Sequence, residues 1–301
     1  MADSPATNTK KNPLSDGQGN LAALLISPTM AVILFVVGIP ILMSLREAVF
    51  RTSTGVDPNT GLITGGESFV GLQNFTDIFA NPSLVQGNWG NIDRLLNAFA
   101  NTTFFTIICV VLETILGVAM ALIMAKAFKG KGVVRAAILV PWAIPTIVSA
   151  KMWGLIFAGD GVMNRVIGQE ILWLADGPQS MWAIIIADVW KTAPFIGLLT
   201  LAGLQTIPGE VYEAAKVDGA SAWQQFTRIT LPMVKPALVV AVLFRTLDTM
   251  RMFDLPAGMI GFGKYFVETV STLAYVENNN LRYGSAAAYS IILFLYIVFI
   301  A

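Results

Sequence analysis

Long apolar runs alternate with short polar stretches along this chain, and six of the runs approach the roughly 20 residues that a helix needs to cross a hydrocarbon layer. They extend from Leu21 to Leu45, Asn97 to Ala125, Val134 to Ala158, Met181 to Leu204, Pro236 to Pro256 and Gly284 to Ala301. Prolines interrupt several: Pro28 and Pro40 in the first, Pro141 and Pro145 in the third, Pro194 in the fourth. A membrane helix tolerates such breaks where neighbouring helices or cavity water satisfy the freed backbone groups. The pattern predicts an all-α integral membrane protein with six transmembrane helices over residues 21–301. Residues 1–20 are rich in Asn, Ser, Thr, Lys, Gly and Pro and predict a disordered tail. No A-x-A-type cleavage site closes the first run, so a retained helix is expected rather than a removed signal peptide.

One polar stretch, EAAKVDGASAWQQFTRITLPMVKP from Glu213 to Pro236, lies deep among these runs. Pro208 suits the first turn of a helix and Gly219 its end, while Ser221 and Gln224 form the S-x-x-Q pattern that starts another. Two short helices joined at Asp218 and Gly219 are predicted. In the first, Glu210, Glu213 and Lys216 share one side and Val211, Ala214 and Ala215 the other. In the second, Ala222, Phe226 and Ile229 fall at i, i+4 and i+7. Each helix can bury one face and show the other.

Composition supports the membrane reading and removes several alternatives. Of 301 residues 55% are hydrophobic and only 13% charged, which is too apolar for a soluble domain of this size. The formal net charge is zero, and no basic, aromatic-interleaved motif suggests nucleic acid. The chain has no histidine, so the commonest general base and metal nitrogen ligand are missing and metal-dependent hydrolysis is not expected. The lone Cys109, in ICVVLETILG, reads as a small buried hydrophobe. A G-x-x-x-x-G-K spacing at Gly258, Gly263 and Lys264 imitates a phosphate loop, but Tyr265 stands where a hydroxyl should ligate magnesium and no strand precedes the glycines.

Basic residues between the runs set an orientation. Lys10, Lys11, Lys126, Lys129, Lys131, Arg135, Lys216, Arg228 and Lys235 fall on one side. The other, longer set of loops holds only Arg46, Arg51, Arg94, Arg165, Lys264 and Arg282. The first side is expected to be cytosolic, with both termini and the Glu213 stretch. The loop 46–96 is then external, and is expected to be an ordered cap.

The polar stretch resembles the EAA motif of type I ABC importer permeases, through Glu213, Ala214, Ala215, Asp218, Gly219, Ala220, Phe226, Ile229, Leu231, Pro232 and Pro236. SFVGLQNF at Ser68 to Phe75 is similar to a run in sugar permeases of that family, and VVAVLFRTLDTMRMFD looks like actinobacterial trehalose and maltose permeases. The family's G-G-P run after the fifth helix is absent here. The resemblance implies that residues 208–235 form a cytosolic coupling loop between helices 4 and 5. It also implies a non-catalytic subunit with a second permease, two cytosolic ATPase subunits that bind ATP and Mg, an external substrate-binding protein and a carbohydrate substrate. An ion-gradient-driven secondary transporter is the alternative, and it would work as a lone chain. A membrane enzyme would need a cluster of acids, bases or metal ligands at one face, and only scattered carboxylates are present.

Charged residues inside apolar runs are expensive and therefore candidates for function. Glu113, Asp188, Asp248 and Asp254 oppose Lys151, Lys191, Arg245 and Arg251, so the formal charges cancel. Arg245, Asp248, Arg251 and Asp254 are spaced by three, as are Asp188 and Lys191, which predicts opposite signs meeting along single helices. Two readings stay open: ion pairs that hold helices together, and a polar substrate path formed by Asp188, Trp190, Lys191, Arg245, Asp248, Arg251 and Asp254. Trp190, Phe195 and Phe253 would give that path its apolar faces, while Trp142, Trp153, Trp173 and Trp182 read as interfacial tryptophans.

Overall fold

Helices follow the apolar runs in a computed structural model that describes residues 13–56, 63–80, 82–126 and 128–301. The first run forms α1 (Pro13–Ile33) and α2 (Ile39–Val49), joined by a π-helical turn at Leu34–Gly38. Residues 13–20, expected to be disordered, are therefore helical, and the rest of the predicted tail lies outside the described residues. Pro13 opens α1, where a missing N–H leaves nothing unpaired. Pro28 frees the carbonyl of Leu24, and the Ser27 hydroxyl donates to that oxygen at 3.1 Å. The wide turn directly before Pro40 makes room for its ring.

Between α2 and α4 (Arg94–Ala125), the described residues of the stretch 46–96 are folded, with helices running to Val49 and restarting at Arg94. They form an antiparallel hairpin of β1 (Phe50–Val56) and β2 (Ile63–Phe69), helix α3 (Gln73–Ala80), and a second hairpin of β3 (Leu84–Gly87) and β4 (Gly90–Asp93). Gly71, at φ +57°, turns β2 into α3. Asn74 on α3 donates to the carbonyls of Ala48 and Phe50 at 2.9 and 2.8 Å, which fixes the cap to the end of α2. Asp93 caps α4 by accepting from the N–H groups of Leu95 and Leu96.

The bundle is built on α4 and α8 (Pro178–Leu204), which pack along their lengths. Small residues allow it: a Cβ on Gly117 would stand 2.8 Å from Ile196, and one on Gly203 would stand 2.7 Å from Ala237 of α11 (Leu231–Met250). Gly117→Leu is therefore expected to cost about 1–3 kcal/mol by overpacking, read as a lower unfolding midpoint of the detergent-solubilised protein; an unchanged midpoint would show that the α4–α8 seam yields. The buried core joins Phe105 and Cys109 of α4, Ile184 and Ile185 of α8, and Phe157, Leu255 and Val267 from the neighbouring connections.

Two apolar runs depart from the expected straight spans. The third is broken into α5 (Lys131–Ala143) and α6 (Thr146–Ile156), bent by 95°. Pro145 forces Ile144 out of the helical region, to ψ 133°. The fifth begins earlier than Pro236: after α9 (Gly209–Val217), a helix starts at α10 (Ala222–Gln225), passes a π-helical turn at Phe226–Thr230 and continues as α11. The second half of the polar stretch is thus helical and continuous with the fifth run, with Pro232 in the first turn of α11 and Pro236 inside it. After α11 come α12 (Asp254–Met259), α13 (Val270–Asn279) and α14 (Tyr283–Ile300), with α7 (Val162–Ile167) earlier, between α6 and α8. By length and composition five helices among the described residues can cross a membrane, or six if the bent pair counts as one span.

Candidate functional site

Three long helices meet at one guanidinium. Arg245 of α11 donates from Nε to Glu113 Oε2 of α4 at 2.6 Å and from Nη2 to Glu113 Oε1 at 3.1 Å. It also bonds Asp188 of α8, and its Nη1 reaches Asp248 Oδ2 at 2.6 Å. Arginine suits this position because its planar fork can serve several carboxylate oxygens at once. Glu113 is fully buried, and the Thr192 hydroxyl lies 2.6 Å from its Oε1. Cys109 Sγ and the Glu113 and Asp188 carboxylates offer atoms within 4.8 Å of one another, a spacing that suits a cation, and the cation beside them is Arg245.

This arrangement keeps the pairing expected along α11 but corrects the one expected along α8. Asp188 reaches across to α11 instead of to Lys191, and Lys191 has no ion pair among the described residues. Along α11 the expected i, i+3 pairs do form, Arg245 to Asp248 and Asp248 to Arg251 at 3.5 Å, while Asp254 opens the separate helix α12, so the ladder ends at Arg251. Around the cluster is a cavity of about 280 Å³, lined by Asp188, Lys191, Arg245, Asp248, Arg251 and Asp254 together with Trp142, Thr146 and Phe253. The expected path residues meet there with one exception: Trp190 packs edge-on against Trp153 at 5.6 Å and does not line it. Phe195 stacks on Trp142, which does. Sequence reasoning left Glu113 out of the site. Its only signal was an acid in the apolar run VVLETILG.

At the other end of α8 and α11 lies the polar helical pair. Helix α9 closes with a Schellman arrangement: Gly219 sits at φ +76°, its N–H donates to Lys216 O at 3.0 Å, and Ala220 N–H donates to Ala215 O at 2.9 Å. Ser221 and Gln224 then form a reciprocal capping box that starts α10. Tyr212 and Thr230 share a hydroxyl hydrogen bond of 3.0 Å, and the Gln225 amide donates to Ala220 O at 2.9 Å, so the pair is fixed against its own base. Glu213, Ala214, Asp218, Gly219, Leu231 and Pro232 are exposed, whereas Ala215, Ala220, Phe226 and Ile229 are half-buried. Val217 and Trp223 are 87% and 71% exposed, an apolar surface beside Glu213 and Lys216 that this chain does not cover.

The imitation phosphate loop is something else. Gly258 lies inside α12, where a Cβ would come within 2.7 Å of Ile147, and only Gly261 and Gly263 adopt left-handed backbone. Gly258 is there for close helix contact.

An apolar helical bundle with five or six candidate spans around a charged cavity is the architecture of a multi-pass membrane protein. Residues 113–301 match the family of binding-protein-dependent transport system inner membrane components, and the chain belongs to this family of ABC transporter permeases. Subunits of this family are non-catalytic. The chain is 36% identical over 297 residues to the trehalose/maltose transport system permease protein MalF of Thermococcus litoralis, covering 97% of this chain and 94% of that one. It is 36% identical over 277 residues to the trehalose transport system permease protein SugA of Mycobacterium tuberculosis, covering 91% and 84%. Its fold matches a chain from the crystal structure of a bacterial ABC transporter involved in the import of the acidic polysaccharide alginate, with a TM-score of 0.73, 22% identity and 94% of each chain covered.

Proposed function

We propose that this chain is the permease subunit of an ATP-driven carbohydrate importer and forms half of its translocation path. The observation that carries the reading is the α9–α10 pair, locked by two caps yet uncovered on its outer face, in a chain similar over most of its length to permeases named for trehalose and maltose transport. In this reading the bent α5–α6 pair counts as one of six spans and both termini are cytosolic. The α9–α10 pair is the coupling helix loop. Two cytosolic ATPase subunits bind ATP and Mg, a second permease completes the path, and an external binding protein delivers a disaccharide such as trehalose or maltose. ATP binding draws the coupling loops of the two permeases together, and the helices pivot between outward and inward access.

The charged cavity is the part of the path this chain supplies. Lys191 and Arg251 offer donors, and Asp248 and Asp254 offer acceptors, to hydroxyl-rich cargo. Lys191→Met is expected to raise the half-saturating sugar concentration about tenfold, the equivalent of roughly 1.4 kcal/mol, with assembly intact. Wild-type saturation in that variant would remove Lys191 from the path. The decisive experiment for the whole reading is purification from membranes followed by ATPase assay. Copurified ATPase subunits whose turnover rises with trehalose or maltose plus binding protein support it, and ion-driven transport by the lone chain in liposomes overturns it.

A further inference from the structure

We propose that Phe253 and Tyr275, backed by Phe262, form a stacking wall for a pyranose ring where an outer groove meets the charged cavity; this rests on the carbohydrate reading above. The groove, of about 680 Å³, lies between the end of α2, the first hairpin, α13 and α14. Phe253 lines both the groove and the inner cavity, Tyr275 lines the groove, and Phe262 lines neither but stacks on Tyr275. The three rings touch one another. Phe262 stacks on Tyr275 at 4.8 Å and 26°, Phe253 meets Tyr275 edge-on at 5.1 Å, and the two phenylalanines are 6.1 Å apart.

A cluster that only filled a core would be hidden, yet Phe262 and Tyr275 remain 43% and 39% exposed. The backbone holds Phe262 in that position. Gly261 and Gly263, on either side of it, are at φ +97° and +72°, conformations that a side chain would oppose. The chain beyond the turn is then bolted down. Asn97 and Asn101 donate to Tyr265 O at 2.7 and 2.9 Å, Asn88 to Phe266 O at 2.7 Å, and Arg94 to Glu268 at 2.6 and 2.8 Å. So the glycine turn that mimics a phosphate loop presents an aromatic face at fixed height.

The surroundings select the ligand class. A pyranose has an edge of hydroxyls and a face of C–H bonds, and the faintly positive C–H face suits the negative face of an aromatic ring. The groove wall supplies hydroxyl and amide partners from Ser44, Thr52, Ser271, Asn278 and Ser290 for the edge. Its charged groups are Glu47 and Glu67, both paired with Arg46 behind them, so the described wall offers carboxylate acceptors to hydroxyl groups. The hydrogen bond from Arg46 holds the Glu67 carboxyl below its usual range, so it stays ionised at neutral pH.

The test uses the assembled importer in proteoliposomes with its binding protein, taking trehalose, maltose, sucrose and glucose as probes. Tyr275→Trp keeps the ring face, while Tyr275→Leu keeps apolar bulk without it. Tyr275→Leu is expected to raise the half-saturating concentration of the transported sugar about threefold to tenfold, and Tyr275→Trp to stay within about twofold of wild type. A leucine variant that saturates like wild type overturns the stacking role and leaves the carbohydrate reading standing. Leucine and alanine variants that no longer assemble with the second permease also overturn it, since the cluster is then a subunit contact. A wild-type importer that takes up none of the four sugars strikes the carbohydrate reading itself, and the proposal with it.

Discussion

Arg245→Met is expected to destabilise the bundle by about 3–5 kcal/mol, because it leaves two buried carboxylates without their cation. Glu113 is fully buried and Asp188 nearly so, and each of these carboxylates bonds the guanidinium directly. Methionine fills much of the arginine volume, so the loss should come from charge and not from a void. That separation can be measured. Glu113→Gln added to Arg245→Met should recover part of the stability, and Asp188→Asn added to both should recover more, because a neutral hydrogen-bonded cluster escapes the desolvation cost of unpaired ions. The readout is the unfolding midpoint of the purified complex in detergent, alongside its monodispersity on gel filtration. If the single variant melts with the wild type, or if the neutralised variants melt below it, the ion cluster is not what ties α4, α8 and α11 together.

The same residues show what the sequence could and could not disclose. Hydropathy placed α4, α8 and α14 within a few residues, because a run with no wet face has few alternatives to spanning a bilayer. Helix caps were equally legible: Gly219, Ser221 and Gln224 act locally, and the Schellman turn and capping box form where their spacing predicted. Partners across helices were not legible. An i, i+3 spacing says that Asp188 and Lys191 can meet, but it cannot say that Arg245, distant in sequence, competes for the same carboxylate and can serve two others as well. The bend at Pro145 and the clamp from Asn88, Asn97 and Asn101 onto residues 265–268 were hidden for a related reason. The first depends on how far a proline break is straightened by its neighbours, the second on which loop carbonyls face α4. Most of the charged residues expected to line a path share one cavity because Asp188 and Lys191 of α8 face Arg245 and Asp248 of α11, whereas Trp190 turns toward Trp153.

Glu213→Lys and Gly219→Pro are each expected to reduce sugar uptake to background while the chain still inserts and folds. The two act by different routes, which makes them useful together. Glu213 is exposed on α9 beside Lys216, Val217 and Trp223, so its side chain is free to meet a basic group on an ATPase subunit. Reversing its charge sets like against like in an interface, a penalty of about 2–5 kcal/mol that weakens docking by roughly 30-fold or more. Proline at position 219 cannot reach φ +76°, and it removes the N–H that closes α9 on Lys216 O, so the pair should lose its fixed angle at a cost of about 3 kcal/mol. Gly219→Ala, which keeps that N–H, should lie between the two extremes, since an L side chain in left-handed backbone costs roughly 1–2 kcal/mol. Copurification of the ATPase subunits tells the routes apart: Glu213→Lys should lose them outright, whereas Gly219→Pro should retain a weakened complex whose ATP turnover no longer responds to sugar. Unchanged uptake in both variants would mean that motion enters this permease somewhere other than α9 and α10.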